Sequence, residues 1–234
     1  MLPEKIWTVA IVDSGSDAAA PQLRSARRFV DHGSEIESTS LQPDSSGHGT
    51  RVAAIVTSGA ARVALVCAQV LNAQGRATAA AVAAGIHWSV GEGAQLIHLS
   101  IGLHQDRPLL REAVTAALSA GVLVVAATPA RGEPSYPARY PGVLRATGDA
   151  RCGSQEIAWL GGAGGGAEVG ACAAHEDAAH RVSRGASVGA AYASRFIVAH
   201  LEPGLPLDTV RERLARASSY DGPERRGVRS AGIS

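Results

Sequence analysis

Residues 96–127 read LIHLSIGLHQDRPLLREAVTAALSAGVLVVAA, and this stretch decides the fold. Residues 96–101 form a short apolar run with the length of a buried strand. Pro108 opens a segment that keeps helical spacing to Ala120, and Gly121 stands just past its end. Proline inside the start and glycine past the end is the normal asymmetry of a helix. Residues 121–127 are again continuously apolar. Strand, helix and strand at this spacing make a β-α-β unit of a parallel sheet whose two faces are both covered.

The same alternation extends outward. Upstream, residues 63–71 read as a strand ended by Asn72-Ala73-Gln74-Gly75, and residues 77–91 as an Ala-rich helix. Residues 6–12 read as a strand that meets a turn at Asp13-Ser14-Gly15, and residues 49–56 as the start of a helix. Downstream, residues 143–146 read as a fifth strand, residues 185–201 as a buried helix of small residues, and residues 207–217 as an amphipathic helix. Residues 161–166 read as a flexible Gly-rich loop, and the tail from residue 218 as irregular. The expectation is an α/β fold in three layers, α/β/α, around a mostly parallel central sheet. It forms one domain over residues 1–234, with no internal repeat and no linker.

Composition fits this reading. Hydrophobic residues are 46% of the 234, but aromatics only 4%. The core is therefore Ala, Val, Leu and Ile, which suits parallel strands under Ala-rich helices. A net charge of +1, from 22 basic and 21 acidic residues, gives no reason to expect nucleic acid or an anionic membrane as partner. No apolar run reaches the roughly 18–20 residues that cross a bilayer. The opening Met1-Leu2-Pro3-Glu4-Lys5 leads straight into a strand without the pattern of a secretory signal. Cys67, Cys152 and Cys172 are odd in number and form no CxxC pair, so reduced thiols and a cytoplasmic location are expected.

Three residues carry the chemistry. Asp13 ends a buried strand, and ligands of parallel sheets bind outside the carboxyl ends of strands. His48 lies between glycines in Gly47-His48-Gly49-Thr50, ahead of an apolar run; imidazole can serve as base near neutrality and as acid afterwards. Ser187, in Gly185-Ala186-Ser187, starts the buried helix, where free N–H groups face any developing oxyanion. Taken singly, each has an ordinary structural explanation: a turn Asp, a loop His, an N-cap Ser. Taken together they run Asp, His, Ser, and chain order separates the unrelated folds that carry such a triad.

With this order and these flanking residues, the chain resembles the subtilisin-like serine proteases. The resemblance covers residues 9–17, 48–55, 69–75, 96–102, 121–127, 136–143 and 185–191. It implies peptide-bond hydrolysis through an acyl-enzyme, with Ser187 as nucleophile, His48 as general base then acid, and Asp13 as orienting carboxylate. It also implies a peptide or protein substrate held as an added strand between Gly75-Arg76-Ala77 and Ser100-Ile101-Gly102. Ala126, Ala127 and Thr128 would line the pocket for the residue before the cut. In outline the chain is similar to the small leader peptidase of quinohaemoprotein amine dehydrogenase maturation. That implies removal of a leader segment from a precursor, with a presenting partner or precursor-modifying enzyme involved.

The pattern departs in places. Ala130 stands where the family usually has an oxyanion-donating Asn, and Thr128 and Arg131 are the nearby candidates to replace it. This opens an alternative, a pseudoprotease that binds peptides without cutting them; an esterase or transpeptidase using the same acyl-enzyme is a third reading. Val188 and Ala191 replace the family's usual Met and Pro. No acidic calcium loop or pro-region is evident. His175 and His180 are five apart and lack a third ligand, and residues 161–166 lack a phosphate-loop ending. No metal and no cofactor are expected.

Overall fold

The computed structural model describes residues 6–59 and 63–224. The elements follow in chain order as β1 (Trp7–Asp13), β2 (Leu23–Asp31), β3 (Ile36–Thr39), α1 (His48–Thr57), β4 (Val63–Gln69), α2 (Ala79–Gly91), β5 (Leu96–Leu99) and α3 (Pro108–Ser119). There follow β6 (Leu123–Ala127), β7 (Leu144–Asp149), β8 (Ile157–Trp159), β9 (Val169–Cys172), β10 (Ala174–Glu176), β11 (Val182–Arg184), α4 (Ala186–His200), α5 (Leu207–Ala217) and β12 (Tyr220–Asp221). Among the described residues one ten-stranded sheet has the order β12-β8-β9-β7-β6-β5-β1-β4-β2-β3. Its pairs are parallel except β2 with β3 and β8 with β9.

Successive residues of the central strands enter opposite cores. On β1, Val9 and Ile11 pack with α1, α4 and α5, whereas Ala10 and Val12 pack with α2 and α3. On β6, Leu123 and Val125 go to the first side, Val124 and Ala126 to the second. This two-sided burial is why these strands read as unbroken apolar runs. The three-layer α/β/α expectation holds.

Several elements differ from the sequence expectation. β2 and β3 lie between residue 17 and the His48 motif, where the sequence reading assigned no element. β2 carries Arg24, Arg27 and Arg28, and only Phe29 of its nine residues is buried, so its hydrophobic pattern is faint. β8 and β9 are three and four residues long, too short for periodicity to mark. The tail from residue 218 is not wholly irregular: Tyr220 and Asp221 pair in parallel with Ala158 and Trp159. Residues 225–234 and the opening residues 1–5 lie outside the described residues. The Gly-rich segment forms a single 3₁₀ turn at Ala163–Gly165.

Candidate active site

Asp13 is the last residue of β1 and is fully buried. The turn after it receives the N-terminus of α1 at very close range: a Cβ on Gly49 would lie 2.2 Å from the Gly15 carbonyl oxygen. Only glycine permits that approach. Ser14 Oγ accepts from the Gly49 N–H at 2.9 Å and from the Ser46 hydroxyl at 2.9 Å. The Asp44 carboxylate caps the helix start, accepting from the N–H groups of Gly47 and Thr50, each at 2.9 Å. A negative charge there also suits the helix dipole. At the end of β4, Gln69 Nε2 donates to the Ser14 carbonyl at 2.7 Å.

These contacts place His48 Nδ1 2.7 Å from Asp13 Oδ1. A carboxylate only accepts, so Nδ1 carries the proton and Nε2 is left as the basic nitrogen. The bond to Asp13 raises the imidazole above its ordinary value, against the opposing effect of burial.

Ser187 is the second residue of α4. A Cβ on Gly189 would lie 2.2 Å from the Thr147 carbonyl oxygen, so the start of α4 rests directly on the β7 backbone. The helical ladder begins with the Gly189 N–H bonded to the Gly185 carbonyl at 3.1 Å. The amides of residues 186–188 therefore precede it, as at any helix start. Ser187 and His48 line one cavity of about 320 Å³, together with Arg51 and Arg184. Asp13, at the carboxyl end of β1, is bonded to His48, and His48 lines one cavity with Ser187, although the three are far apart in sequence. The His48–Asp13 pair can take a proton on Nε2 and hold the resulting imidazolium against a buried carboxylate.

A family model described as the subtilase family matches residues 4–202. The chain belongs to the subtilase family. It is 33% identical to subtilisin DY of Bacillus licheniformis over 151 residues, 58% of this chain and 54% of that protein. It is 33% identical to thermitase of Thermoactinomyces vulgaris over 148 residues, 58% of this chain and 52% of thermitase. The chain therefore spans about half the length of these curated relatives. Its fold is similar to the crystal structure of a cold adapted subtilisin-like serine proteinase, with a TM-score of 0.66 and 20% identity over 91% of this chain and 84% of that one.

In this subtilase the other expected site residues divide. Gly75, Arg76, Ala77, Ser100, Ile101 and Gly102 line a single cavity of about 350 Å³. Ala126, Ala127 and Thr128 are buried at the end of β6. Thr128 Oγ1 is enclosed with no hydrogen-bond partner among the described residues, while Ala130 and Arg131 are exposed. None of residues 128, 130 and 131 lines the cavity shared by His48 and Ser187. His175 bonds the Tyr192 hydroxyl at 2.9 Å and His180 the Glu176 carboxylate at 2.6 Å. Among the described residues no group of three His, Cys, Asp or Glu is placed to hold a metal. Among the described residues no helix is long and apolar enough to cross a membrane. The cysteines are free thiols, and burial pushes both Cys67 and Cys152 up to about 12.

His98 escaped the sequence reading, because a lone histidine in an apolar strand carries no motif. It lies on β5 opposite Ile11 and is fully buried. Its Nδ1 is 2.9 Å from Ser194 Oγ on α4 and its Nε2 2.7 Å from Ser100 Oγ. It thus ties the helix of Ser187 to the segment expected to hold substrate. Burial pushes the imidazole down to about 4. In the unfolded chain it titrates near 6.5, so between those values the unfolded state binds the extra proton. Stability is complete above about pH 6.5 and falls as the pH drops towards 4, by about 3 kcal/mol. Denaturant melts at pH 7.5 and 4.5 should show this loss in the wild type and a smaller one in His98→Asn. Equal losses in the two proteins would assign the acid sensitivity elsewhere.

Proposed function

We propose that this subtilase is a serine endopeptidase. The observation that carries the reading is the 2.7 Å bond from His48 to buried Asp13, beside a helix-start serine in the same cavity. Ser187 Oγ attacks the scissile carbonyl carbon as its proton passes to His48 Nε2. The tetrahedral intermediate collapses as that proton goes to the departing amine. Water then repeats the sequence on the acyl-enzyme and frees Ser187. The acyl side of the peptide lies as an added strand between residues 75–77 and 100–102, with Ala126, Ala127 and Thr128 about the residue before the cut.

The finer role we propose is removal of a leader from a precursor peptide in the cytoplasm. Free cysteines support a reducing compartment. Ala130 offers no side-chain donor to the oxyanion, which suits one dedicated substrate brought by a presenting partner or precursor-modifying enzyme. Such presentation can offset a weak oxyanion hole through positioning. Ala130→Asn is expected to raise peptide turnover at least tenfold. Loss of one such donor costs about 10²–10³ in turnover, a scale that comes from subtilisin itself. An unchanged rate would show that residue 130 does not reach the oxyanion.

Ala130 also favours a second reading, a pseudoprotease that binds peptides without cleaving them. Labelling by a fluorophosphonate separates the two. Modification of Ser187 in the wild type supports the peptidase, and its absence in the folded protein supports the binding module.

A further inference from the structure

Two arginines converge on the cavity that holds His48 and Ser187. Arg51 lies three residues after His48 on α1, hence on the same face of the helix. Arg184 ends β11, three residues before Ser187. Both line the cavity with the two reactive side chains. Neither makes an ion pair or a side-chain hydrogen bond among the described residues. By contrast Arg145, Arg151 and Arg211, half-buried like Arg51, each pair with a carboxylate. The Arg51 cation is also close enough to His48 to oppose protonation of the imidazole. Two unpaired guanidiniums in one cleft are a recognition site for a carboxylate, since each presents several N–H donors and a permanent charge.

Position decides which carboxylate. The cavity lined by residues 75–77 and 100–102 shares no lining residue with this one. Ser187 lines the second cavity, so a peptide whose acyl side fills the first and is cut at Ser187 continues into the second. We propose that this second cavity receives an acidic residue in the first two positions after the scissile bond, with Arg51 and Arg184 as its specificity-determining residues. This rests on the peptidase reading above. A carboxylate there also neutralises the Arg51 cation, which otherwise opposes the imidazolium formed on His48.

The test is digestion of a randomised decapeptide library, with the products sequenced from their new N-termini. Asp and Glu should be enriched about tenfold at one of the first two positions. Arg184→Glu, on an exposed hairpin strand, should abolish that enrichment and favour Lys or Arg instead. Arg51→Gln should weaken it, with thermal melts confirming the fold of both variants. Cleavage by the wild type without acidic enrichment, or equal enrichment in Arg184→Glu, overturns the proposal. If nothing is cleaved, the same library is passed over immobilised Ser187→Ala. Retention of acidic peptides that Arg184→Glu in that background abolishes supports the cavity's role as a carboxylate site. Retention without acidic bias overturns it. Fluorophosphonate labelling of Ser187 separately reports whether the peptidase reading itself stands.

Discussion

Ser187→Ala is expected to abolish fluorophosphonate labelling and to lower peptide turnover by about 10⁶-fold, the scale of the corresponding loss in subtilisin. His48→Ala should cost about as much. The double variant should lose no more than either single one, because nucleophile and base act as a unit. Asp13→Asn should cost less, on the order of 10⁴-fold, since the serine and imidazole remain but the tautomer is no longer imposed by a carboxylate 2.7 Å away. Asp13→Asn also removes the bond that raises the His48 imidazole. The rate of the wild type should climb with pH through a midpoint above 6.5, where His48 becomes a neutral base, and that midpoint should fall in Asp13→Asn. Rates on one peptide substrate, with labelled protein resolved by mass, check both points. Residual labelling in Ser187→Ala would reveal another nucleophile. Cys67 and Cys152 are poor candidates, with thiols pushed up to about 12 by burial.

Gly189→Ala is expected to destabilise the fold by about 4 kcal/mol. The added methyl would stand 2.2 Å from the Thr147 carbonyl oxygen and 2.3 Å from the Gly148 nitrogen. Both are backbone atoms of β7 and cannot rotate away. α4 must move outward, which opens the contact between the helix and the sheet. Ser187 sits two residues earlier on the same helix, so its position against His48 is lost with it. A thermal melt should show a fall of roughly 10 °C for a chain of this size, with fluorophosphonate labelling reduced even below the melt. Gly91→Ala is the control. It ends α2 with open space around it, so it should leave the melt unchanged or raise it slightly. Similar effects of the two substitutions would show that the close approach at Gly189 is not what seats α4.

How much was legible follows from where each element's information lies. β1, β4, β5 and β6 read directly from sequence because both faces of each are buried, which forces an unbroken apolar run. α2 read from its Ala-rich run, and α3 from Pro108 at its start and Gly121 past its end. β2 hid behind its arginines, and β8, β9 and β12 hid in their shortness. β12 also pairs with β8, far earlier in the chain, and β2 with β4, so part of their pairing is not announced locally.

The site divides in the same way. Asp13, His48 and Ser187 were readable because a triad's order along the chain belongs to a fold, and because small residues flank His48 and Ser187 in short motifs, Gly47 and Gly49 about the first and Gly185-Ala186 before the second. Asp44, Gln69 and His98 were not. Gln69 and His98 act through hydrogen bonds to residues that only folding brings near, as Gln69 does to Ser14 and His98 to Ser194, and Asp44 caps the helix of His48 without a motif of its own. The exposure of Ala130 and the convergence of Arg51 with Arg184 likewise exist only in three dimensions. By itself the sequence determined the layered fold and the family and pointed to Asp13, His48 and Ser187 as the reacting groups, because burial patterns and flanking residues are local properties. Only the tertiary structure decided how those groups are held and which charges meet at the cleft, because these depend on distances between segments that the chain order does not encode.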